Sequence, residues 1–319
     1  AGGNTNAPPP AASEGAVAEA QAEKADGVKD RLAGSEISLA YAMDVLSFDK
    51  SAEPTYNPGL TQVIGVDPSW RLNDKLGVTA HLGAQTELTN SDVTTRYRET
   101  LLEDMYVGGS YKLKLPRGGS SSLGLRLTFP TSKESLAREL IVAVRPSARF
   151  SREFVAGRGI KLTPSASISG TYLAATASSI TYDAPTIVTC TAEGGDCSAF
   201  NHSGVRSAMA TFVEMIGLSA SFPHGLSASI NLSWIQGLLY PLDEAVDPMT
   251  DTEIPPGEEG TRWRHAVSSA LEVHWEASKN VQIGCGVQSF HPLQRPDSTY
   301  YPWLINRFAQ LVVGATYVF

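Results

Sequence analysis

The sequence contains no run of about eighteen consecutive apolar residues, so no stretch of it reads as a membrane-crossing helix. It is also short of charge. Asp, Glu, Lys and Arg together make up 18% of the chain, low for a soluble protein of this length. Basic residues are the scarcer sign: the net charge is -8 with no basic cluster, which argues against a nucleic-acid partner. Cysteine is limited to three residues. No His or Cys spacing suits zinc and no Gly-rich loop cradles a phosphate, so neither a metal nor a cofactor is expected. The mean hydropathy lies close to zero, the value of a chain whose apolar and polar residues alternate instead of segregating.

Alternation is what is present. Reading back from the end, Phe319, Tyr317, Ala315, Val313, Leu311 and Ala309 share one face, and Val318, Thr316, Gly314, Val312 and Gln310 the other. At about 3.3 Å per residue this strand is long enough to cross a bilayer at a tilt. It resembles the closing strand of bacterial outer-membrane β-barrel proteins, whose terminal Phe and preceding aromatic mark them for assembly. The resemblance implies a Gram-negative outer-membrane location. It also implies contact with outer-membrane lipids and lipopolysaccharide, and with the barrel-assembly machinery through this strand.

The same pattern recurs upstream. Ile37, Leu39, Tyr41, Met43 and Val45 alternate with small or polar residues, as do Leu76 to Ala84, Met105 to Leu115, Leu123 to Phe129 and Leu226 to Trp234. About twelve such strands fit within residues 36–319, and short turns alternate with long loops. A soluble sandwich has no reason to keep every second connection short. The expected fold is therefore all-β, a transmembrane antiparallel up-and-down barrel with tight periplasmic turns and long extracellular loops. Aromatics sort accordingly. Trp70, Tyr111, Phe150, Phe222, Trp275, Tyr317 and Phe319 fall at the short-turn end. Phe48, Phe129, Tyr172, Trp234, Tyr240, Trp263, Tyr300 and Trp303 fall near the long loops, giving two interfacial girdles.

Alternation also assigns a lumen-lining set. It comprises Asp44, Asp67, Arg71, His81, Asp104, Lys112, Lys114, Arg126, Arg145, Arg149, Lys161, Glu272, His274 and Glu276. Basic residues concentrate on the middle strands and acidic ones on the first and late strands, which would set a transverse field across a pore. The leading expectation is a channel for passive diffusion of small hydrophilic solutes or ions. A surface-interaction barrel working with a periplasmic or outer-membrane protein partner is an alternative. Another is an autotransporter-like translocator, which the chain resembles in size and in having an N-terminal helix.

Residues 1–35 read as a separate segment, Pro-, Ala- and Gly-rich and then weakly helical, lying in the periplasm or plugging the lumen. Ala1-Gly2-Gly3 would suit a chain cut at a small-residue site. Cys190 and Cys197 are expected to form a disulfide in the longest loop. The acidic stretch 241–260 is a solvated loop or a binder of divalent ions. An enzyme is not expected: the outward pair His265 and Ser269 is about two pleats apart, and the remaining histidines face the lumen or sit in loops and turns. Four features disturb the pattern. Pro68, Pro146 and Pro164 sit inside strands, where a missing N–H breaks the ladder, and bulges or weak pairing should follow at Pro146 and Pro164. In Ser207 to Phe222 a bulge near Ile216 or Gly217 would turn Glu214 inward and leave Met209, Thr211, Val213 and Met215 outside.

Overall fold

The structure, a computed structural model, describes residues 32, 34–48, 59–89, 98–116, 119–157, 159–176, 207–241, 245–247, 252–254, 262–295 and 297–319. Twelve strands form the wall: β1 (Glu36–Asp44), β2 (Leu60–Asp67), β3 (Leu76–Glu87), β4 (Met105–Leu115), β5 (Gly119–Phe129) and β6 (Leu140–Arg152), then β7 (Lys161–Ala175), β8 (Ala208–Ser221), β9 (Leu226–Leu239), β10 (Trp263–Glu276), β11 (Val281–Pro292) and β12 (Ala309–Val318). Each pairs antiparallel with the next, and β12 pairs with β1, so the sheet closes on itself. Closure removes the edges and lets every strand find its main-chain hydrogen bonds within the wall, the condition for spanning hydrocarbon.

The period-2 pattern sets which face is which. Ile37, Leu39, Ile64, Leu82, Leu125, Ile168, Ile216, Leu271 and Val313 are all exposed large apolar residues. They lie on the outer face of successive strands. Few apolar side chains are buried among the described residues: Leu101, Tyr106, Ala137, Leu140, Ala143, Leu239 and Ala309. The interior is thus not an apolar core. Solvent reaches inner-face positions such as Thr79, Lys112 and Ser147, which are exposed.

Turn chemistry fixes the short connections. The Asn73 side chain accepts from the amides of Lys75 and Leu76 at 2.9 and 2.8 Å, an Asx turn closing β2 onto β3. In Pro223-His224-Gly225 both His224 and Gly225 have positive φ, and a Cβ on Gly225 would meet Glu276 at 2.9 Å. The C-terminus is held by main chain on both sides: the Phe319 amide donates to Ser35 at 2.9 Å and that of Val318 to Asn280 at 2.8 Å. Among the long connections, 130–139 holds a short helix, α1 (Lys133–Ala137), capped by Ser132, which accepts from the Ser135 amide at 3.1 Å.

The prolines interrupt pairing without shifting it. Between β6 and β7 the ladder lacks its pairs beside Pro146, yet Ser169↔Ser147 and Tyr172↔Val144 keep one register. Pro164 stands where the ladder pauses between Ser165↔Ser151 and Leu162↔Phe154. A missing N–H removes a rung, and no bulge forms there. Pro68 separates β2 from the three-residue segment Ser69–Arg71.

The β8 expectation is corrected. Its ladder to β7 runs unbroken from Lys161↔Ser221 to Tyr172↔Ala210, and its ladder to β9 shifts only between Ala208 and Ala210. With no extra residue near Gly217, Phe212, Glu214, Ile216 and Leu218 stay outward and exposed, while Met209, Thr211, Val213 and Met215 face inward. Glu214 stands opposite Trp234. At the depth of an interfacial ring a carboxylate costs about 0–1 kcal/mol, well below the midplane penalty.

Candidate functional site

The tightest polar arrangement on the inner wall spans β2, β3 and the start of β4. His81 places Nδ1 2.7 Å from Asp67 and Nε2 2.9 Å from Glu103. Its ring stacks on Tyr106 at 5.0 Å, and the Arg126 guanidinium lies 4.4 Å over the same Tyr106 ring. Carboxylate, imidazole, phenol and guanidinium therefore form one connected column across β2 to β5. Glycine makes the space: a Cβ on Gly83 would collide with the Glu103 carboxylate and stand 2.8 Å from His81 Nε2.

Glu103 has no place in strict alternation, and a bulge explains it. Ala84 pairs with Leu102, but His81 pairs with Tyr106, so one strand advances a residue further than the other. The extra residue lets Glu103 reach inward. It also redirects Asp104, expected to line the lumen. Its Oδ1 accepts from the amides of Thr131 and Ser132 at 3.1 and 2.9 Å, and Oδ2 takes the Ser135 hydroxyl. Asp104 is a staple for the 130–139 connection. Nearby Glu134 is held above the ordinary carboxylate value of 4.5, chiefly by burial, with Arg138 opposing and Asp104 reinforcing the shift.

Beyond Tyr106 the inner wall turns basic. Arg126 and Arg145 stand directly opposite on β5 and β6, a like-charge pairing that would repel if both chains pointed alike. They part instead: Arg126 leans onto Tyr106, and Arg145 donates to Ser169 Oγ at 3.0 Å. Arg149 stands opposite Ser122 and Ser167. Lys112 and Lys114 are exposed on β4. Lys161 meets Glu153 at 3.2 Å, exposed at the short-turn end.

The acidic side is built from the late and first strands. Glu272 accepts from Ser229 Oγ at 3.4 Å and lies 3.4 Å from His274 Nε2. Glu276 is exposed at the turn. Asp44 accepts from Gln310 Nε2 at 3.0 Å, and Gln288 donates to Gln310 at 3.3 Å. Arg71 lies in the short Ser69–Arg71 segment opposite Gly77. In a closed ring of twelve strands, β4 to β7 face β10 to β1, so the two signs look at each other across the bore.

On the outer face, Tyr111, Phe150, Phe222, Trp234, Trp263, Trp275, Tyr317 and Phe319 are exposed, and Trp70 is half-buried. Tyr240 does other work: its hydroxyl donates to Leu173 O at 2.5 Å and accepts from the Ala175 amide at 3.0 Å. His265 stands beside the Trp234 ring and Ser269 Oγ donates to the Trp303 carbonyl, so the two are not joined as nucleophile and base. His291, expected in a loop, belongs to β11 and is buried. Cys190, Cys197, nearly all of residues 1–35, and the side chains of 242–261 lie outside the described residues. The backbone of that acidic stretch contributes the paired segments Ala245–Asp247 and Thr252–Ile254. Among the described residues no cluster suits a metal ion.

No protein-family model matches the chain, and no curated protein does. Among solved structures it is similar to the COG4313 outer membrane channel from Pseudomonas putida F1, with TM-score 0.52 and 11% identity over 90% of this chain and 96% of that one. It is also similar to the KdgM porin (TM-score 0.46, 10% identity, 89% and 99% covered). A third is the translocator domain of autotransporter NalP from Neisseria meningitidis (TM-score 0.38, 11% identity, 89% and 87% covered). At 11% identity the likeness to the outer membrane channel carries the architecture and nothing finer. The fold is that of a porin-like outer-membrane barrel, and the apolar outer face agrees with that membrane as its place.

Proposed function

We propose that this barrel is an outer-membrane channel through which small hydrophilic solutes or ions diffuse passively. The observation carrying the reading is the division of the inner wall. Arg126, Arg145, Arg149, Lys112 and Lys114 occupy β4 to β6, while Asp44, Asp67 and Glu272 lie on β1, β2 and β10, and Glu103, just before β4, is held by His81. Little apolar side chain is buried between them among the described residues. Opposed rows order water across a bore and favour neither sign strongly, which suits a weakly selective pore. Residues 1–35 are proposed to lie in the periplasm or to enter the bore from that side. No catalytic chemistry is proposed.

The test is conductance of the purified protein in planar bilayers, with the full chain and with residues 1–34 removed. Discrete openings in either form support the channel, and a larger conductance in the shortened form supports a plug. Silence in both forms sinks the reading.

A further inference from the structure

The connection 293–308 does not stand clear of the barrel. Ser269, Ser289 and His291 belong by register to the lipid-facing rows of β10 and β11, where Trp275, Val273, Ile283 and Cys285 are exposed. Yet Ser269 and Ser289 are 1% exposed and His291 is 2%. The loop covers them. Trp303 O accepts from Ser269, Asn306 Nδ2 donates to Ser289 Oγ at 2.8 Å, and Tyr301 and Phe308, in contact with each other, pack on the His291 ring at 5.5 and 6.4 Å. A row that would otherwise offer hydroxyls to hydrocarbon is sealed by main chain and aromatic rings.

The other side of the loop is amphiphilic. Tyr300, Trp303 and Ile305 are exposed, and beside them a cleft of about 340 Å³ is lined by Arg295, Tyr301, Pro302, Ile305, Asn306 and Arg307. Among the described residues that lining holds two guanidinium groups, Arg295 over the Tyr301 ring and Arg307 over the Phe308 ring, each at 5.1 Å. The loop's one acid, Asp297, accepts at Oδ1 from the Thr299 amide and hydroxyl at 3.0 and 2.6 Å, and its charge also acts on nearby Arg295. Ser269, under Trp303, pairs with Leu232, two residues from the exposed Trp234, so the loop lies along the extracellular aromatic belt, where headgroups begin.

We propose that the 293–308 loop seats a phosphorylated glycolipid of the outer leaflet, its phosphate between Arg295 and Arg307 and its acyl chains against Trp303 and Ile305. The planar guanidinium fork matches phosphate oxygens. In a chain of net charge -8 this local basic pair is what an anionic lipid would meet on the outer wall. The inference depends on the barrel's orientation in the membrane and not on whether the bore conducts.

The test uses the full chain in neutral detergent and reads lipid binding by native mass spectrometry. The probes are bis-phosphorylated lipid A, the same lipid stripped of both phosphates, and inorganic pyrophosphate. Wild type should retain the phosphorylated lipid about tenfold better than the stripped one. Arg295→Gln with Arg307→Gln should erase that preference, a loss of about tenfold. Equal binding of both lipids by wild type, or an unchanged preference in the double variant, overturns the proposal. Pyrophosphate binding as tightly as the lipid overturns it too, since the site would then serve a soluble anion. Heat-modifiable gel mobility reports folding. If the Gln pair fails to fold, Arg295→Lys with Arg307→Lys keeps charge and removes the fork. Several-fold weaker binding then supports the seat, and undiminished binding refutes it.

Discussion

The inner wall around His81 and the outer wall around Ser289 both break the simple alternation of the strands, and they do so in opposite ways. Inside, Asp67, His81 and Glu103 are ionisable groups that satisfy one another across β2 to β4. Outside, Ser269 and Ser289 are small polar groups satisfied by a loop laid over them, and His291 is buried beneath the loop's rings with Nδ1 on the Pro292 carbonyl. Water is available on one side of the sheet and hydrocarbon on the other. Polar residues on the wet face tolerate charge; those on the lipid face need a cover that brings its own hydrogen bonds.

The comparison is broken most severely by putting charge on the wrong side. Leu125→Arg, on the lipid face of β5, should cost about 2–4 kcal/mol, whereas Thr79→Arg on the inner face of β3 should cost under about 1 kcal/mol. Urea unfolding in lipid vesicles measures both, and equal losses would contradict the assignment of faces. Removing one member of the inner group comes next. Glu103→Gln should destabilise by about 1–2 kcal/mol by depriving His81 of one of its two carboxylates. Gly83→Ala should destabilise to a similar extent, because the new methyl displaces the Glu103 carboxylate. A Gly83→Ala barrel as stable as wild type would remove the steric account.

Ser269→Ala sharpens the outer half. It deletes the hydroxyl that ties Trp303 to β10 and should cost about 1 kcal/mol. Amide exchange across 303–306 should speed up while β3 stays unchanged; no local change would mean the loop is held elsewhere. The smallest effect concerns Glu134. Its folded pKa is raised above 4.5, mainly by burial. The protonated form is therefore favoured in the fold, and its contribution is present below about 4.5 and lost as pH rises through the raised value. Exchange over Lys133–Ala137 should accelerate across that window, and Glu134→Gln should flatten the response.

Much of the wall was legible in the chain because period 2 leaves a lipid-facing row that can be read residue by residue, as in Ile37, Leu39 and Tyr41. The charged inner set is proposed from the same parity. Glu103 was not legible: a single extra residue before β4 moves it inward and sends Asp104 to the Thr131–Ser135 connection. Glu214 misled in the other direction, since its charge suggests a bulge that unbroken ladders around Gly217 on both sides of β8 rule out. The covered row at Ser289 and His291 was out of reach for another reason. No periodicity records where a loop travels after it leaves its strand; the contacts of Trp303 with Ser269 and of Asn306 with Ser289 reveal it.

The charge-divided bore is tested most directly by the reversal potential of single channels in a salt gradient, for wild type and for Arg126→Gln/Arg145→Gln/Arg149→Gln. Wild type should conduct with weak selectivity, and the triple variant should shift clearly towards cations as the acidic side is left unopposed. An unmoved reversal potential in a conducting triple variant would contradict the account.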